Sequence, residues 1–336
     1  MRKGAKAILT SIILATVSYS TSMSAELKMQ NVKLNVKGGI TTTEFFETRA
    51  KTDGSSSNDL KLSDAILNLE ATDGISGADF GLGTITEPTV LSSANNDNTA
   101  VIGEKTGIVW GFLYTSPFKN FKVEAGLLPT NVGYELAATY LNPNIVYGFV
   151  WNSQPFIYKG ARVTYSASEN FSLYAEYDKG KELNGNPENH AFAVGSIGSV
   201  DGIGYTVTYF DYANYKNLID FTLSTEYKNF TFAINGDYQW LDKDNDKKGY
   251  GIAAYIIPTF GKLSIPLRVE YVKDTNNSGI YGFSKPTYSV TLTPTWKLSY
   301  NSKIRIEYSY AYSSDNTAFN GSNHKGTASF QLLFMF

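Results

Sequence analysis

Apolar and polar residues alternate one by one over long stretches of this sequence of 336 residues. Between residues 121 and 127, every odd-numbered residue is apolar and every even-numbered one is Lys, Glu or Gly. The same alternation runs through residues 171–178, 263–270 and 304–313. Successive side chains of a β-strand point to opposite faces, whereas the period of about 3.6 in a helix would scatter both sets around its surface. The alternation therefore predicts strands with one apolar and one polar face.

Sixteen such segments follow one another, and the connections between them alternate in length. Lys228-Asn229 and Gly261-Lys262 are examples of the short connections. Thr89 to Thr106 and Ser314 to His324 are examples of the longer polar loops. An even number of antiparallel strands leaves both chain ends on the side of the short turns. The predicted strands are residues 32–48, 59–72, 78–88, 107–116, 121–128, 156–166, 171–179, 190–198, 202–212, 217–227, 230–241, 249–260, 263–273, 286–296, 303–313 and 325–336.

This layout predicts an all-β fold, an antiparallel up-and-down β-barrel that spans a membrane. Short turns on one side and long loops on the other are typical of bacterial outer-membrane barrels. The sheet has to close, because an open edge in lipid would leave backbone groups unpaired. No later segment is apolar over the roughly 20 residues that a membrane-spanning helix needs. A soluble β-sandwich is the structural alternative.

Aromatic residues test the strand directions, because rings concentrate at both water–lipid interfaces of membrane barrels. The sequence holds 24 Tyr and 20 Phe, although its mean hydropathy is slightly negative. Trp110, Tyr238 and Trp240 lie toward the predicted outer ends of strands. A soluble β-sandwich would not be expected to concentrate aromatic residues at both ends of its strands. On the outward face at the predicted periplasmic ends lie Phe121, Phe171, Tyr227, Phe230, Phe260, Trp296 and Phe336.

The first 25 residues are typical of a cleaved signal peptide. Three basic residues come first, residues 7–17 are apolar, and the residues after them are mostly small. The apolar run is too short to span a membrane as a helix. An amphipathic N-terminal helix is the alternative. We expect cleavage between Ser22 and Glu26, so that residues 1–25 are the signal peptide and residues 26–336 form the barrel.

The last predicted strand has a pattern of its own. Phe330, Leu332, Phe334 and Phe336 share one face, and the final residue is phenylalanine. This segment resembles the terminal strand of bacterial outer-membrane proteins, which the barrel-assembly machinery reads. The resemblance implies a location in the bacterial outer membrane, with lipid and the assembly machinery as partners.

Charge and cysteine content exclude several classes of partner. Removing residues 1–25 takes away three basic residues and no acidic one, which leaves 26 Lys and Arg against 31 Asp and Glu. Nucleic-acid binding needs a clustered positive surface, so we expect no nucleic-acid partner. No cysteine is present to form a disulfide. We expect no cofactor and no metal: residues 242–246 begin like a calcium loop, but Lys247 and Ala253 stand where that motif needs glycine and glutamate.

One connection is unlike the others. Residues 129–155, between the fifth and sixth predicted strands, read PTNVGYELAATYLNPNIVYGFVWNSQP. By position and length, this segment is the candidate for a loop that folds into the barrel and narrows it. It contains one acidic residue and no Lys or Arg, so we expect a neutral, hydrogen-bonding constriction. The predicted constriction residues are Asn131, Tyr134, Glu135, Tyr140, Asn142, Asn144, Tyr147 and Trp151.

The region from Val123 to Tyr165 also resembles a known family. It contains the runs Gly126-Leu127-Leu128-Pro129-Thr130 and Gly133-Tyr134-Glu135, followed by Asn142, Pro155-Phe156 and Gly160. In these residues the chain is similar to the OmpL-like family of β-barrel porins of bacterial outer membranes. The resemblance implies a passive diffusion channel for small hydrophilic solutes and ions, a homotrimer and no enzymatic activity. General porins often set an acidic inward loop against a ladder of arginines, whereas residues 26–336 contain only four Arg.

Charged residues on the inward face of the predicted strands are expected to line a water-filled path. Seven of these eleven residues are acidic, and a narrow low-dielectric passage focuses their field. We therefore expect a weak preference for cations that fades as salt rises. Pairing across the wall, as of Arg162 with Glu124 and Glu176, is the structural alternative. The predicted pore-lining residues are Lys122, Glu124, Arg162, Glu176, Asp220, Glu226, Asp237, Arg268, Glu270, Arg305 and Glu307.

Two other functions are compatible with a barrel of this size. Loops that plug the lumen would give an adhesin or a structural surface protein. An outer-membrane hydrolase would need a base, and the two histidines, His190 and His324, lie at predicted loop–strand junctions outside any nucleophile motif.

The variant Leu267→Arg tests the predicted alternation. Leu267 is predicted to face lipid and Ser264 to face the lumen. A charge near the middle of the membrane destabilises an outer-membrane barrel by roughly 2–4 kcal/mol, so Leu267→Arg should lower the free energy of unfolding by that amount. Ser264→Arg should be tolerated. The fraction of heat-resistant barrel on a gel measures both variants, and equal losses would contradict the assigned faces.

Overall fold

The alternating segments pair edge to edge into one antiparallel sheet in the computed structural model of the protein. The structure describes residues 25–29, 32–49, 57–87, 100–179, 190–213, 215–319 and 321–336. The predicted signal peptide lies outside these residues except for Ala25. Its cleavage and the start of the barrel at residue 26 therefore stay predictions.

Nineteen strand segments and two short 3₁₀ helices, Thr139–Leu141 and Trp151–Ser153, lie within the described residues. In that part of the chain, no helix has the length and apolarity needed to cross a membrane. The strands are β1 (Ala25–Met29), β2 (Val32–Arg49), β3 (Ser57–Thr72), β4 (Ser76–Glu87), β5 (Ala100–Phe118), β6 (Phe121–Pro129), β7 (Ile157–Ser168), β8 (Phe171–Lys179), β9 (His190–Val200), β10 (Ile203–Tyr212), β11 (Lys216–Tyr227), β12 (Phe230–Leu241), β13 (Asp244–Phe260), β14 (Leu263–Ser264), β15 (Leu267–Asp274), β16 (Thr287–Leu292), β17 (Thr295–Lys297), β18 (Ser302–Ser313) and β19 (His324–Met335).

Pairing of β19 with β2 closes the sheet into a barrel. Two strands of the wall are each interrupted near a proline: β14 and β15 form one of them, and β16 and β17 form the other. With these segments joined, sixteen strands surround the lumen, so the predicted all-β barrel and its strand number are confirmed. The sequence patterns missed β1, which pairs with the start of β2 beyond the point where β19 ends.

The two prolines interrupt the strands without opening the wall. Proline has no backbone N–H to donate, but its carbonyl still accepts a hydrogen bond. The Pro266 carbonyl accepts the amide of Thr293 at 2.8 Å, and the Pro294 carbonyl accepts the amide of Ile306 at 2.9 Å. Neighbouring strands therefore stay joined across both gaps, as the hydrocarbon surroundings require.

The two faces of the wall differ as the alternation predicts. Leu173 and Val269 point outward and are exposed on the isolated barrel. Thr222 and Gln331 point inward and are buried. The interior of this protein is therefore the lumen, which polar wall residues and the connecting loops fill together.

Rings at the short-turn ends of the strands form the predicted outward rim, but Trp110 does not belong to an outer rim. Its indole Nε1 donates to Asp79 Oδ1 at 2.7 Å on the lumen side. Trp110 pairs with Gly81 in the same unbroken register in which Phe112 pairs with Asp79, so it shares the lumen face of β5 with Tyr114. The β-bulge of β4 and β5 begins only beyond this pair, between Gly81 and Leu82. The exposed rim residues are Phe171, Tyr227, Phe230, Phe260 and Trp296.

One predicted outer loop is shorter than expected. The charged residues after Leu241 were expected to form a loop up to residue 248. In the structure, Leu241 pairs with Asp244 across the Asp242-Lys243 turn, and residues 245–247 then bulge out before Lys248 pairs with Trp240. Hydrophobic alternation does not mark the end of a strand whose last residues are polar.

Single cysteines test which side of the membrane each turn faces, because the natural chain contains none. We expect Asn245→Cys, beside the Asp242-Lys243 turn, to react with an impermeant thiol reagent on intact cells. Lys228→Cys, in a short turn on the opposite side, should stay unlabelled until the cells are broken. Labelling at residue 228 but not at residue 245 would show that the barrel runs in the opposite direction.

Candidate functional site: the lumen and its inward loop

The connection between β6 and β7, residues 130–156, folds into the lumen and is here called the inward loop. Its contacts reach strands on different parts of the wall. Thr139 Oγ1 donates to Asp64 on β3, and the amide of Gly133 donates to Asp220 on β11 at 3.1 Å. The loop therefore crosses the barrel, as the sequence predicted for the segment after the fifth strand of the wall.

Carboxylates of the wall accept the backbone amides of the inward loop. Glu307 accepts two successive amides, from Ile145 at 2.5 Å and from Val146 at 3.0 Å. Glu270 accepts the amide of Val150 at 3.3 Å. Because irregular backbone inside a barrel must still satisfy its polar groups, these acids act as structural anchors.

Asp64 and Asp220 anchor the loop in the same way. Asp64 accepts the amide of Tyr140 at 3.1 Å as well as the Thr139 hydroxyl. No local sequence pattern indicated that Asp64 anchors the loop or that the backbone at Gly148 lies close to Glu270. A Cβ on Gly148 would lie 2.1 Å from Glu270 Oε1, so glycine lets the loop lie against that carboxylate.

Two arginines of the wall bind the carbonyl side of the loop. Arg268 donates to the Val146 carbonyl at 2.8 Å and forms ion pairs with Glu135 on the loop and with Glu270 on the wall. Arg305 donates to the carbonyl of Asn142 at 2.7 Å. Positive charge on the wall thus pairs with loop carbonyls, while negative charge on the wall pairs with loop amides.

Glu135 is the one acidic residue of the loop, and it is buried rather than facing an open constriction. Its carboxylate accepts from Arg268 and from the amide of Gly148 at 2.8 Å. Burial raises the pKa of Glu135, while the neighbouring Arg268 works against this rise. Its charge is therefore balanced by the wall.

The end of the loop is held by an amide and a lysine that sequence patterns missed. Gln154 Nε2 donates to Asp220 at 3.0 Å and to Asp237 at 2.9 Å. Lys216 Nζ donates to the Ser153 carbonyl at 2.7 Å. Asp220 and Asp237 lie directly opposite each other on β11 and β12. The Gln154 amide therefore donates to both members of a pair of acids that would otherwise repel each other.

Aromatic packing gives the loop its shape. Tyr147 stacks on Trp151 with ring centroids 4.7 Å apart, and its hydroxyl donates to the Leu136 carbonyl at 3.0 Å. Tyr134 packs on Tyr255 of the wall at 4.5 Å. Of the other predicted constriction residues, Tyr140, Asn142 and Asn144 are buried and Asn131 is half-buried.

A second connection, residues 275–286 between β15 and β16, also reaches the interior. Asp274 accepts the amides of Tyr281 and Phe283 at 3.1 Å. The Tyr281 hydroxyl donates to Asp237 at 3.1 Å, and Phe283 packs edge-on against Phe149 of the inward loop at 5.2 Å. The apolar run Ile280, Tyr281 and Phe283 in a loop rich in polar residues was the available signal for this contact.

The predicted pore-lining charges fall into three groups. Glu226 is exposed at the short-turn end of β11, and Lys122 is half-buried with its Nζ 2.7 Å from Glu124. Their part in ion passage stays a prediction. The remaining charges are buried against each other or against the inward loop: Glu124, Arg162, Glu176, Asp220, Asp237, Arg268, Glu270, Arg305 and Glu307.

A further polar network lies on β2 to β5, among the half-buried residues of the lumen face. Asn68 Nδ2 donates to Asp79 at 2.7 Å, and Asn35 Nδ2 donates to Glu70 at 2.8 Å. Tyr114 donates its hydroxyl to Glu70 at 3.0 Å. The sequence analysis did not select Glu70 or Asp79. Alternation identified their strands, but nothing in it separated them from other inward polar residues.

Comparison with known proteins decides what this barrel is. The family model described as "Putative beta-barrel porin-2, OmpL-like" matches residues 31–336. The chain belongs to this family. It is thus a porin of the bacterial outer membrane, and the resemblance first noted between Val123 and Tyr165 extends over the whole barrel. No curated protein sequence matches this porin.

Solved outer-membrane proteins share the fold of this porin at low sequence identity. OmpF of Salmonella typhi, solved in complex with daunomycin, has a TM-score of 0.64 at 11% identity, over 93% of this chain and 100% of that chain. OmpT of Vibrio cholerae, folded in vitro, has a TM-score of 0.62 at 11% identity, over 93% and 99%. The anion-selective porin from Comamonas acidovorans has a TM-score of 0.62 at 10% identity, over 91% and 100%.

The variant Glu307→Ala tests the anchoring of the inward loop. It leaves the amides of Ile145 and Val146 without an acceptor, and each unsatisfied buried donor costs about 1–3 kcal/mol. We expect the loop amides to exchange with deuterium about tenfold to a hundredfold faster, while the strands stay protected. Glu226→Ala, at an exposed acid far from the loop, is the control. Unchanged loop exchange in Glu307→Ala would show that the carboxylate is not an anchor.

Proposed function

We propose that this porin is a passive diffusion channel for small hydrophilic solutes and ions. The observation that carries the proposal is a closed sixteen-strand barrel narrowed from inside by a loop that polar wall residues hold in place. Barrels of this strand number are wide enough for an aqueous path. The polar network around Glu70 and Asp79 on the lumen face favours hydrophilic solutes.

Conductance tests this proposal directly. The purified porin should give discrete conductance steps in a planar lipid bilayer, and liposomes that contain it should swell in small sugars faster than in large ones. Heat-unfolded porin is the control. If the folded barrel gives no steps and no swelling, the channel proposal fails.

The second candidate function is a loop-plugged barrel that acts as an adhesin or a structural surface protein. It is favoured by the packing inside the lumen, where Tyr134, Phe149 and Phe283 belong to one buried apolar cluster with wall residues. A tight plug would abolish conductance, whereas a narrowed channel would only reduce it.

The fold and the family indicate a channel without enzymatic activity. An esterase assay on the purified porin tests whether it has such activity.

Assembly and delivery are part of the same proposal. A solved form of OmpT of Vibrio cholerae is a trimer, and we propose that this porin is likewise a homotrimer. We further propose that residues 1–25 are removed as a signal peptide and that the strand ending at Phe336 is read by the barrel-assembly machinery. The mass of the porin in detergent, compared with that of one barrel, measures the oligomer.

The ion preference of the channel is proposed to be weakly cationic. Most predicted lumen acids are paired with arginine or with loop amides, so their field is largely balanced. Glu70 and Asp79 add negative charge on another part of the wall. We expect a modest cation preference that fades as salt rises, because salt screens charges beyond about 10 Å at 0.1 M.

The variant Glu135→Gln tests the part that the loop plays in this preference. Losing the carboxylate leaves the charge of Arg268 less balanced, so the preference for cations should fall more than in the outer-strand control Asp246→Asn. Reversal potentials across a salt gradient measure the effect. Because burial raises the pKa of Glu135, the measurement is made at mildly alkaline pH, which favours the ionised carboxylate. Equal reversal potentials in both variants would remove Glu135 from the selectivity of the channel.

A further inference from the structure

A cavity of about 260 Å³ lies between the inward loop and the short-turn end of the barrel. Tyr140 and Pro143 of the loop form its inner boundary. Its walls come from the lumen face of β14, β17 and β18 and from the adjoining turns, including Lys262 and Tyr300. The contacts that anchor the inward loop leave this cavity open.

Positive charge dominates the lining of the cavity. Lys262, Lys297, Lys303 and Arg305 contribute to it, and the described lining residues include no Asp or Glu. Lys297 and Lys303 lie directly opposite each other on β17 and β18. Like charges placed opposite each other in neighbouring strands destabilise a sheet. A barrel that keeps such a pair on its lumen face has a strongly anion-attracting surface there.

The four cations are not equivalent. Arg305 donates to the Gln331 side chain at 2.6 Å and to three loop carbonyls, so its guanidinium is already occupied and supplies mainly charge. Lys297 is exposed and lies over the Tyr300 ring at 5.2 Å. Lysine ammonium groups are mobile point charges and do not impose the planar geometry that a free arginine would. Such a cavity distinguishes ligands by their charge rather than by their shape.

We propose that this cavity is a binding site for small anions that carry two or more negative charges, such as tricarboxylates or inorganic phosphate. Its volume is just below the range of about 300–1,000 Å³ that is usual for drug-sized ligands, which limits it to small solutes. The site rests on the proposed function only in that anions reach it by diffusion through the lumen. It is compatible with a weak overall cation preference, because Glu70 and Asp79 lie on strands β3 and β4, which contribute no residue to the lining of the cavity.

Calorimetric titration of the folded porin in detergent measures this site without any need for conductance. Citrate and inorganic phosphate should bind more tightly than acetate, because charge number decides the affinity. Binding should weaken as salt rises. Citrate that binds no more tightly than acetate would overturn the proposal.

A matched pair of double variants locates the site. Lys297→Gln with Lys303→Gln should weaken citrate binding by about tenfold, since each wet ion pair contributes up to about fivefold. Lys119→Gln with Lys228→Gln removes the same charge from exposed short turns outside the cavity and should change binding by less than about twofold. Equal weakening by both pairs would show non-specific attraction and would refute the site. If the first pair does not fold, Lys297→Gln alone at the exposed strand end replaces it.

The two proposals fail separately. A porin that conducts but binds citrate no better than acetate loses only the anion site. A porin that binds citrate in detergent but gives no conductance loses the diffusion function and keeps the site.

Discussion

Backbone pairing between the first and last strands of the wall is the contact on which the structure depends. Eleven residue pairs, from Lys325 with Arg49 to Met335 with Gly39, join β19 to β2. In hydrocarbon there is no water to satisfy an open edge, so a membrane sheet must close on itself. Closure then assigns each inward side chain to the lumen and each outward one to lipid. Any loop that enters the membrane region must do so inside the barrel.

The same requirement explains why a nearly uncharged loop lies within a charged wall. The inward loop brings irregular backbone into the lumen, and its amides and carbonyls need partners there. Glu307 and Glu270 supply acceptors, while Arg268 and Arg305 supply donors. The loop therefore needs few charges of its own, and the wall charges that alternation places inward are largely used to hold it.

Because these wall charges hold the inward loop, the number of charged residues in the lumen does not by itself predict how ions pass. Counting every inward acid and base treats each of them as facing water, yet most are buried in pairs. The charges that remain for solutes lie elsewhere. Glu70 and Asp79 face the lumen on one part of the wall, and the lysine-lined cavity lies at the short-turn end. Under the proposed function, selectivity would be a local property of separate regions of one lumen.

The sequence by itself determined the barrel, its sixteen strands and the outward aromatic rim, which follow from side-chain alternation and connection length. It also singled out residues 129–155 as the inward loop, through their position and length. Only the tertiary structure decided that Trp110 points inward, that Glu135 pairs with Arg268, and that Tyr281 reaches Asp237. The first is fixed by a hydrogen bond to Asp79, 31 positions away, and the others join residues more than 40 positions apart. A period of two residues says which face a side chain takes but carries no information about what it meets across the lumen.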